Sequence, residues 1–201
     1  MNMLVDGLPD SVEIGGERVR INTDFRTGIL FEEAIADENL SDLEKIQTVL
    51  GLYYPDGDIP LELWKEAIER AAWFYRGGRD KAKATGGSGN EEPCFSYEYD
   101  ADYVYAAFLQ SYGIDLTEKS LHWWQFNALF KSLPEDTQIM KIIGYRTMKI
   151  PAKMSKDQKA YYRRMKEYYA LPHEQTQIES DLTELLMKGG NPSELLEQGE
   201  Q

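Results

Sequence analysis

Only one stretch of this chain alternates apolar and polar side chains in the way a β-strand does. It runs from Ser11 to Ile21 and has Gly15-Gly16 at its middle; its alternating apolar residues are Val12, Ile14, Val19 and Ile21. Two short alternating segments around a Gly-Gly pair predict a β-hairpin with a tight turn. A two-stranded hairpin is marginally stable by itself. The rest of the chain must therefore supply the surface on which it packs.

That remainder has the spacing of helices. Apolar residues recur every three or four positions, and polar capping residues precede them, which predicts about six to eight helices. The expected caps are Asn22 or Thr23, Ser41 with Glu44, Asp100, and Ser155 with Gln158. The expected spans are about 23–37, 41–52, 61–75, 100–112, 118–132, 135–148 and 155–170. The predicted fold class is mainly α, a multi-helix bundle with an N-terminal β-hairpin.

Glycine and small polar residues concentrate between 76 and 93, which predicts a flexible loop. The loop separates an N-terminal part, 1–75, made of the hairpin and helices, from a helical part, 94–172, with a Trp-rich central helix. An acidic C-terminal helix and tail are expected over 173–201. The chain has 4 Trp, 13 Tyr and 7 Phe. Because buried aromatic side chains remove large areas from water, we expect the two parts to share one core.

The charge balance narrows the class of partner. The net charge is −13, which disfavours generic binding to nucleic acid or to anionic lipid. No run of about 18 apolar residues is present, so no membrane span is predicted. The first ten residues lack the basic and apolar regions of a signal peptide. A single cysteine, Cys94, cannot form an internal disulfide, so a reducing cytoplasm is the expected compartment.

Few residues are candidates for chemistry. Neither His122 nor His173 has a Cys or a second His at metal-ligand spacing, and Cys94 has no base beside it. The acidic residues between Glu91 and Asp102 are typical of a solvated face. We therefore predict no catalytic residue, no metal site and no cofactor. His122, beside Trp123-Trp124, is interpreted as a core or boundary residue.

One segment reverses the sign of the charge. From Arg146 to Glu167 the chain holds eight basic and two acidic residues, a net charge of +6, which leaves −19 for the rest. On a helix over 155–167 the aromatic and basic residues separate. One face holds Tyr161, Tyr162, Met165, Tyr168 and Tyr169, and the other holds Lys156, Lys159, Arg163 and Lys166. The acidic tail adds a short apolar stripe of Leu182, Leu185 and Leu186.

These two stripes and the basic face are the candidate protein-binding residues, either for a client protein or for a second copy of the chain. Both stripes could equally close the chain's own core. The basic helix 155–167 also suits a nucleic-acid-binding regulator, although no recognised nucleic-acid-binding module accompanies it.

Four segments resemble those of a known protein family. They are Asn22–Arg26, Asp102–Thr117, Leu121–Leu129 and Ile143–Ile150, and the His-Trp-Trp block at 122–124 is the most specific piece. Together they resemble the bacteriophage gene-product-fifteen family, found in phages and prophages of Gram-positive bacteria. The resemblance covers roughly 10–169 of the chain.

The resemblance implies a role in tail morphogenesis, in the cytoplasm of the bacterial host. It implies a tail assembly chaperone that coats the long helical tape-measure protein and recruits tail-tube subunits. The family has no catalytic residues to carry over, so no enzymatic activity is expected. The alternative is a structural component of the virion, in the tail or the connector.

Overall fold

The structure, a computed structural model, describes residues 2–79 and 94–172. These residues contain seven α-helices and one two-stranded antiparallel sheet, which confirms the predicted mainly helical fold with its N-terminal hairpin. Most of the predicted loop and all of 173–201 lie outside the described residues, so the prediction for Leu182, Leu185 and Leu186 does too. One compact unit is Met1–Gly144 and a second is Tyr145–Gln201.

The seven helices follow one another along the chain. They are α1 (Phe25–Ala36), α2 (Asp42–Tyr53), α3 (Trp64–Tyr75), α4 (Tyr97–Tyr112), α5 (Trp123–Lys131), α6 (Gln138–Thr147) and α7 (Lys156–Tyr168). Two predicted capping boxes are confirmed, Ser41 with Glu44 before α2 and Ser155 with Gln158 before α7. Gly113 ends α4 in the left-handed conformation, as its position predicts.

Three predicted helix starts are wrong. The N-cap of α1 is Asp24, not Asn22 or Thr23, and its carboxylate accepts the Arg26 N–H at 2.9 Å. Helix α4 begins before Asp100, because Ser96 caps it. Helix α5 begins at Trp123 rather than near 118, because His122 is its cap.

Asp100 has a different role from the predicted one. Its side chain lies inside the first unit, only 1% exposed, and accepts the backbone N–H of Ser96 at 3.0 Å. Ser96 in turn accepts the Tyr99 N–H. The two side chains thus satisfy backbone donors at the start of α4 that have no partner within the helix.

The hairpin consists of β1 (Ser11–Ile14) and β2 (Glu17–Arg20), with Val12 paired to Val19. Both turn residues, Gly15 and Gly16, have positive φ angles, 59° and 80°. Glycine is suited to this turn because a Cβ disfavours such angles. Val12 and Ile14 are buried, and the Gly15 N–H donates to Glu66 of α3 at 3.0 Å. The hairpin therefore packs against a helix, as its marginal stability requires.

Phe126 of α5 lies at the centre of the core of the first unit. It is fully buried, and its ring stacks on Phe25 of α1 and Phe108 of α4, with centroids 4.8 Å and 5.0 Å away. Neighbouring rings of α5, those of Trp123 and Phe130, extend this stack. Helix α5 thus occupies the central position that its nearly all-round apolar sequence predicts.

Candidate protein-binding surface

The His-Trp-Trp block holds α5 against the rest of the first unit. His122 caps the helix with its ring, because Nδ1 accepts the Trp124 N–H at 3.0 Å. Nδ1 must be unprotonated to accept, so Nε2 carries the proton and donates to the Pro9 carbonyl at 3.0 Å. Both ring nitrogens are therefore committed to backbone partners. Burial lowers the pKa of His122, and the bond to Pro9 opposes that shift.

The two tryptophans bind the end of α3. Trp123 Nε1 donates to the Tyr75 carbonyl at 2.7 Å, and Trp124 Nε1 donates to the Phe74 carbonyl at 2.8 Å. The last carbonyl groups of a helix receive no N–H from within the helix, so other donors must satisfy them. Two adjacent indoles on α5 supply such donors, and the Phe74 carbonyl also accepts the Gly77 N–H at 2.9 Å. The block is thus a structural junction, which agrees with the prediction that His122 is a core or boundary residue.

Two of the segments that carry the family resemblance meet at this junction. Asp24 and His122 form an isolated antiparallel bridge. The Trp123 N–H donates to the Thr23 carbonyl at 2.8 Å, and the Phe25 N–H donates to the Leu121 carbonyl at 2.9 Å. The starts of α1 and α5 are therefore fixed side by side, although they are distant in sequence.

A cleft of about 1010 Å³ opens on the same part of the first unit. Aromatic side chains form much of its wall: Tyr75, Phe95, Tyr97, Trp123, Trp124 and Phe130. The Tyr75 hydroxyl donates to Glu32 Oε2 at 2.5 Å, and burial, together with this carboxylate, raises the pKa of Tyr75. The phenol therefore stays protonated and joins α3 to α1.

The described residues contain neither a metal-binding cluster nor a membrane-spanning helix. No group of three or more His, Cys, Asp and Glu side chains within 2–79 and 94–172 is arranged to hold a metal ion. Among the same residues, no helix has both the length and the apolar character needed to cross a membrane.

The described part of the second unit contains most of the predicted binding residues. Its described part, 145–172, carries the net charge of +6, and no side chain of α7 is buried. The predicted tyrosine face is divided by Tyr145, near the end of α6. Tyr145 stacks on Tyr169 with centroids 5.9 Å apart, and Tyr162 lies at a tilt 6.4 Å away. Arg146 Nε also donates to the Tyr169 carbonyl at 2.6 Å.

The tyrosine face therefore has an inner and an outer part. Tyr162, Met165 and Tyr169 are half-buried. Tyr161 and Tyr168 are 42% and 75% exposed, and we call this pair the tyrosine row. The Tyr161 hydroxyl still lies 3.4 Å from that of Tyr145.

The basic residues lie on the side of α7 opposite the tyrosine row. Lys156, Lys159, Arg163 and Lys166 follow one another at spacings of three and four, so they form a single line on α7, which we call the cationic stripe. Lys156, Arg163 and Lys166 are exposed, whereas Lys159 is half-buried and donates to the Ala152 carbonyl at 2.6 Å. All four ion pairs within the described residues lie in the first unit, and none of them involves the stripe.

Sequence reasoning missed two residues of this surface. They are Tyr145 and Arg146, which contact the inner part of the tyrosine face. Both belong to the resembling segment Ile143–Ile150, which was the one available signal.

Sequence reasoning also missed an acidic surface on the first unit. Glu33 on α1 is close enough to Glu98 on α4 for their charges to interact. Asp102 follows Glu98 by one turn, and Tyr99 beside them is 54% exposed. These carboxylates come from segments 65 residues apart, so no local pattern predicts their proximity.

Comparison with known proteins gives one match. A sequence model of the family described as Bacteriophage Gp15 protein matches residues 4–171. No curated protein and no solved structure matches the chain.

Proposed function

This chain belongs to the bacteriophage Gp15 protein family, and on that premise we propose that it is a non-enzymatic tail assembly chaperone that binds the tape-measure protein. It would act in the cytoplasm of the bacterial host and bring tail-tube subunits to the client. The observation that carries the proposal is the family match, which extends over residues 4–171 and so reaches into both compact units.

Helix α7 supports a binding role. A short helix is marginally stable in water, and most helices in proteins are stabilised by burying an apolar face. Helix α7 buries no side chain completely, and it contacts Tyr145 and Arg146 through only part of its aromatic face. The tyrosine row remains exposed. Tyrosine is enriched among residues that dominate binding energy, because it combines apolar area with a polar group and has few rotamers.

A long helical client fits this surface. Tyr161 and Tyr168 are seven residues apart, so they lie two turns apart on one side of α7, about 10 Å along its axis. An apolar stripe on a client helix repeats at the same interval. Packing one such helix beside α7 would cover both tyrosines at once.

Co-expression with the tape-measure protein of the same phage tests the proposal. We expect the client to become soluble and to co-purify with the chain. The double variant Tyr161→Ser/Tyr168→Ser should reduce the recovered client at least about tenfold, which corresponds to about 1.4 kcal/mol. Its circular dichroism should match the wild type, because neither side chain is buried.

A matched control is the double variant Leu43→Ser/Leu61→Ser, which removes two exposed apolar side chains from the first unit. It should retain the client. If the wild-type chain leaves the client insoluble, the chaperone role is wrong. Mass spectrometry of purified virions then decides on the structural alternative, since a chaperone is missing from the particle and a structural protein is present in many copies.

A further inference from the structure

The described chain is strongly polarised. Residues 2–79 and 94–144 of the first unit hold 23 acidic and 11 basic residues, a net charge of −12. The described part of the second unit holds +6. Opposite charges on two compact units of one chain favour contact between the second unit of one copy and the first unit of another, because complementary potentials steer association.

Several acidic groups of the first unit have local partners. Asp10, Asp24, Asp56 and Glu66 form ion pairs with arginines, Glu44 completes a capping box, and Asp115 accepts from Thr117. Glu33, Glu98 and Asp102 belong to the acidic groups without such a partner, and they are distinguished by the proximity of Glu33 on α1 to Glu98 on α4. All three are exposed, and none takes part in an ion pair among the described residues. We call these three residues and Tyr99 the acidic surface.

Two neighbouring carboxylates act on the charge of Glu33. Burial raises the pKa of the Glu33 carboxyl, and the charges of Glu98 and Glu32 raise it further. Crowded carboxylates repel one another, so a cation brought among them relieves the repulsion and gains attraction. The exposed ring of Tyr99 can bind the same cation, because an arginine or lysine side chain can lie over its face.

The cationic stripe matches the acidic surface in charge and in the spacing of its side chains. Its four side chains span ten residues of α7, about 15 Å along the axis. Glu98 and Asp102 lie one turn apart on α4, at the spacing between neighbouring members of the stripe, and Glu33 lies near Glu98. Long lysine and arginine stems can cover the Tyr99 ring while their charged ends reach the carboxylates.

We propose that the cationic stripe of α7 binds the acidic surface of a second copy of this chain. The two surfaces in contact are different, so the contact is head-to-tail, and a pair of copies keeps one unused surface of each kind. Association therefore continues beyond a dimer unless a ring closes. The tyrosine row lies elsewhere on α7 and stays available to a client, so copies could line up along a long protein. The contact does not depend on the proposed client.

Sedimentation of the full chain at low and high salt tests the contact. At about 50 mM salt the average mass should rise steadily with protein concentration, and at about 500 mM it should return to the monomer, because salt screens exposed charges. A chain that stays monomeric in both conditions overturns the proposal, and so does an assembly that is insensitive to salt.

Two charge-reversed variants identify the surfaces. Arg163→Glu/Lys166→Glu makes α7 acidic, and Glu98→Lys/Asp102→Lys makes the acidic surface basic. Each should weaken self-association at least about tenfold. Mixed together, they should associate again, because each then meets the opposite charge on the other. The control Lys65→Glu/Lys119→Glu makes the same change in charge at exposed positions of the first unit and should behave as the wild type. Failure of the mixture to associate overturns the assignment.

Neutral variants serve if charge reversal lowers the melting temperature. Arg163→Gln/Lys166→Gln and Glu98→Gln/Asp102→Asn then replace the two variants, and each should still weaken association severalfold.

Cross-linking distinguishes this contact from its alternatives. Zero-length cross-linking in a mixture of isotopically light and heavy copies should join Lys156 or Lys166 of one copy to the acidic surface of another. Cross-links to acidic residues of 173–201 instead, or salt-dependent DNA binding lost with the α7 variant, would assign the stripe to another occupant. Retention of the tape-measure protein by a monomeric α7 variant would leave the chaperone proposal intact.

Discussion

Gly28 of α1 lies directly beneath the indole of Trp123, so closely that a Cβ at residue 28 would overlap the six-membered ring. Both residues are buried. The absence of a side chain at residue 28 is therefore what allows α1 and α5 to approach, and it lets Trp123 reach the end of α3.

Gly28→Ala should destabilise the chain although alanine favours helices. The added methyl group forces a shift of the indole or of α1, and overpacking of this kind costs about 1–3 kcal/mol. Gly51→Ala on α2 is the matched control, because nothing lies within 4 Å of a Cβ there. It should raise the free energy of unfolding by about 0.5–1 kcal/mol. Urea titrations of both variants measure the difference, and equal effects would contradict the close approach.

Trp124→Phe should lower the stability of the protein by more than the loss of buried apolar area accounts for. The variant keeps an aromatic ring but removes the indole N–H that donates to the Phe74 carbonyl, and the loss of one such hydrogen bond costs about 0.5–1.5 kcal/mol. The carbonyl keeps the Gly77 N–H as a donor. Trp73→Phe is the comparison, since the Trp73 ring packs on Trp124 and makes no hydrogen bond among those found. We expect a smaller loss there. Thermal unfolding of the two variants would show no such difference if the indole bond contributes nothing.

His122 should make stability depend on pH near neutrality. Its pKa is lowered in the folded protein, so between that value and about 6.5 the unfolded chain binds the proton and the folded chain does not. The contribution to stability is complete above the unfolded pKa and is lost as the pH falls through this window. Protonation of Nδ1 also ends its role as the acceptor for Trp124.

His122→Asn isolates this effect. Asparagine is a good N-cap and does not titrate, so the variant should retain the cap of α5 and lose the histidine contribution to the pH dependence. Free energies of unfolding for both proteins from pH 7.5 to pH 5 supply the test. Parallel curves would mean that the ring does not titrate as its burial requires.

Asp100→Ala should destabilise the start of α4 by about 1–3 kcal/mol, because it leaves the Ser96 N–H without this acceptor. Asp102→Ala removes the same group two residues further along, at an exposed position, and should change stability by less than about 0.5 kcal/mol. Hydrogen exchange at residues 96–100 localises the effect. Similar losses in the two variants would argue against a specific role for the buried carboxylate.

Short sequence patterns correctly predicted the hairpin and the capping boxes of α2 and α7. The hairpin turn needed only Gly15-Gly16 and alternation, and Ser41 and Ser155 each lie three residues before the partner that completes a capping box. The prediction of α5 failed at its start because the cap is a histidine, which is not among the usual capping residues. The start of α4 failed because Asp100 has capping chemistry and yet a buried position.

The binding surface was predictable only in part. The sequence by itself determined that α7 separates tyrosines from basic residues, because helical geometry alone places residues three and four apart on one face. It also determined the mainly helical class and, through a few segments, the family. Only the tertiary structure decided that Tyr145 covers Tyr162 and Tyr169 while Tyr161 and Tyr168 stay exposed. It alone brought Glu33 beside Glu98, because such proximity depends on how distant helices pack around Phe126 and the Gly28–Trp123 contact, which no local sequence pattern encodes.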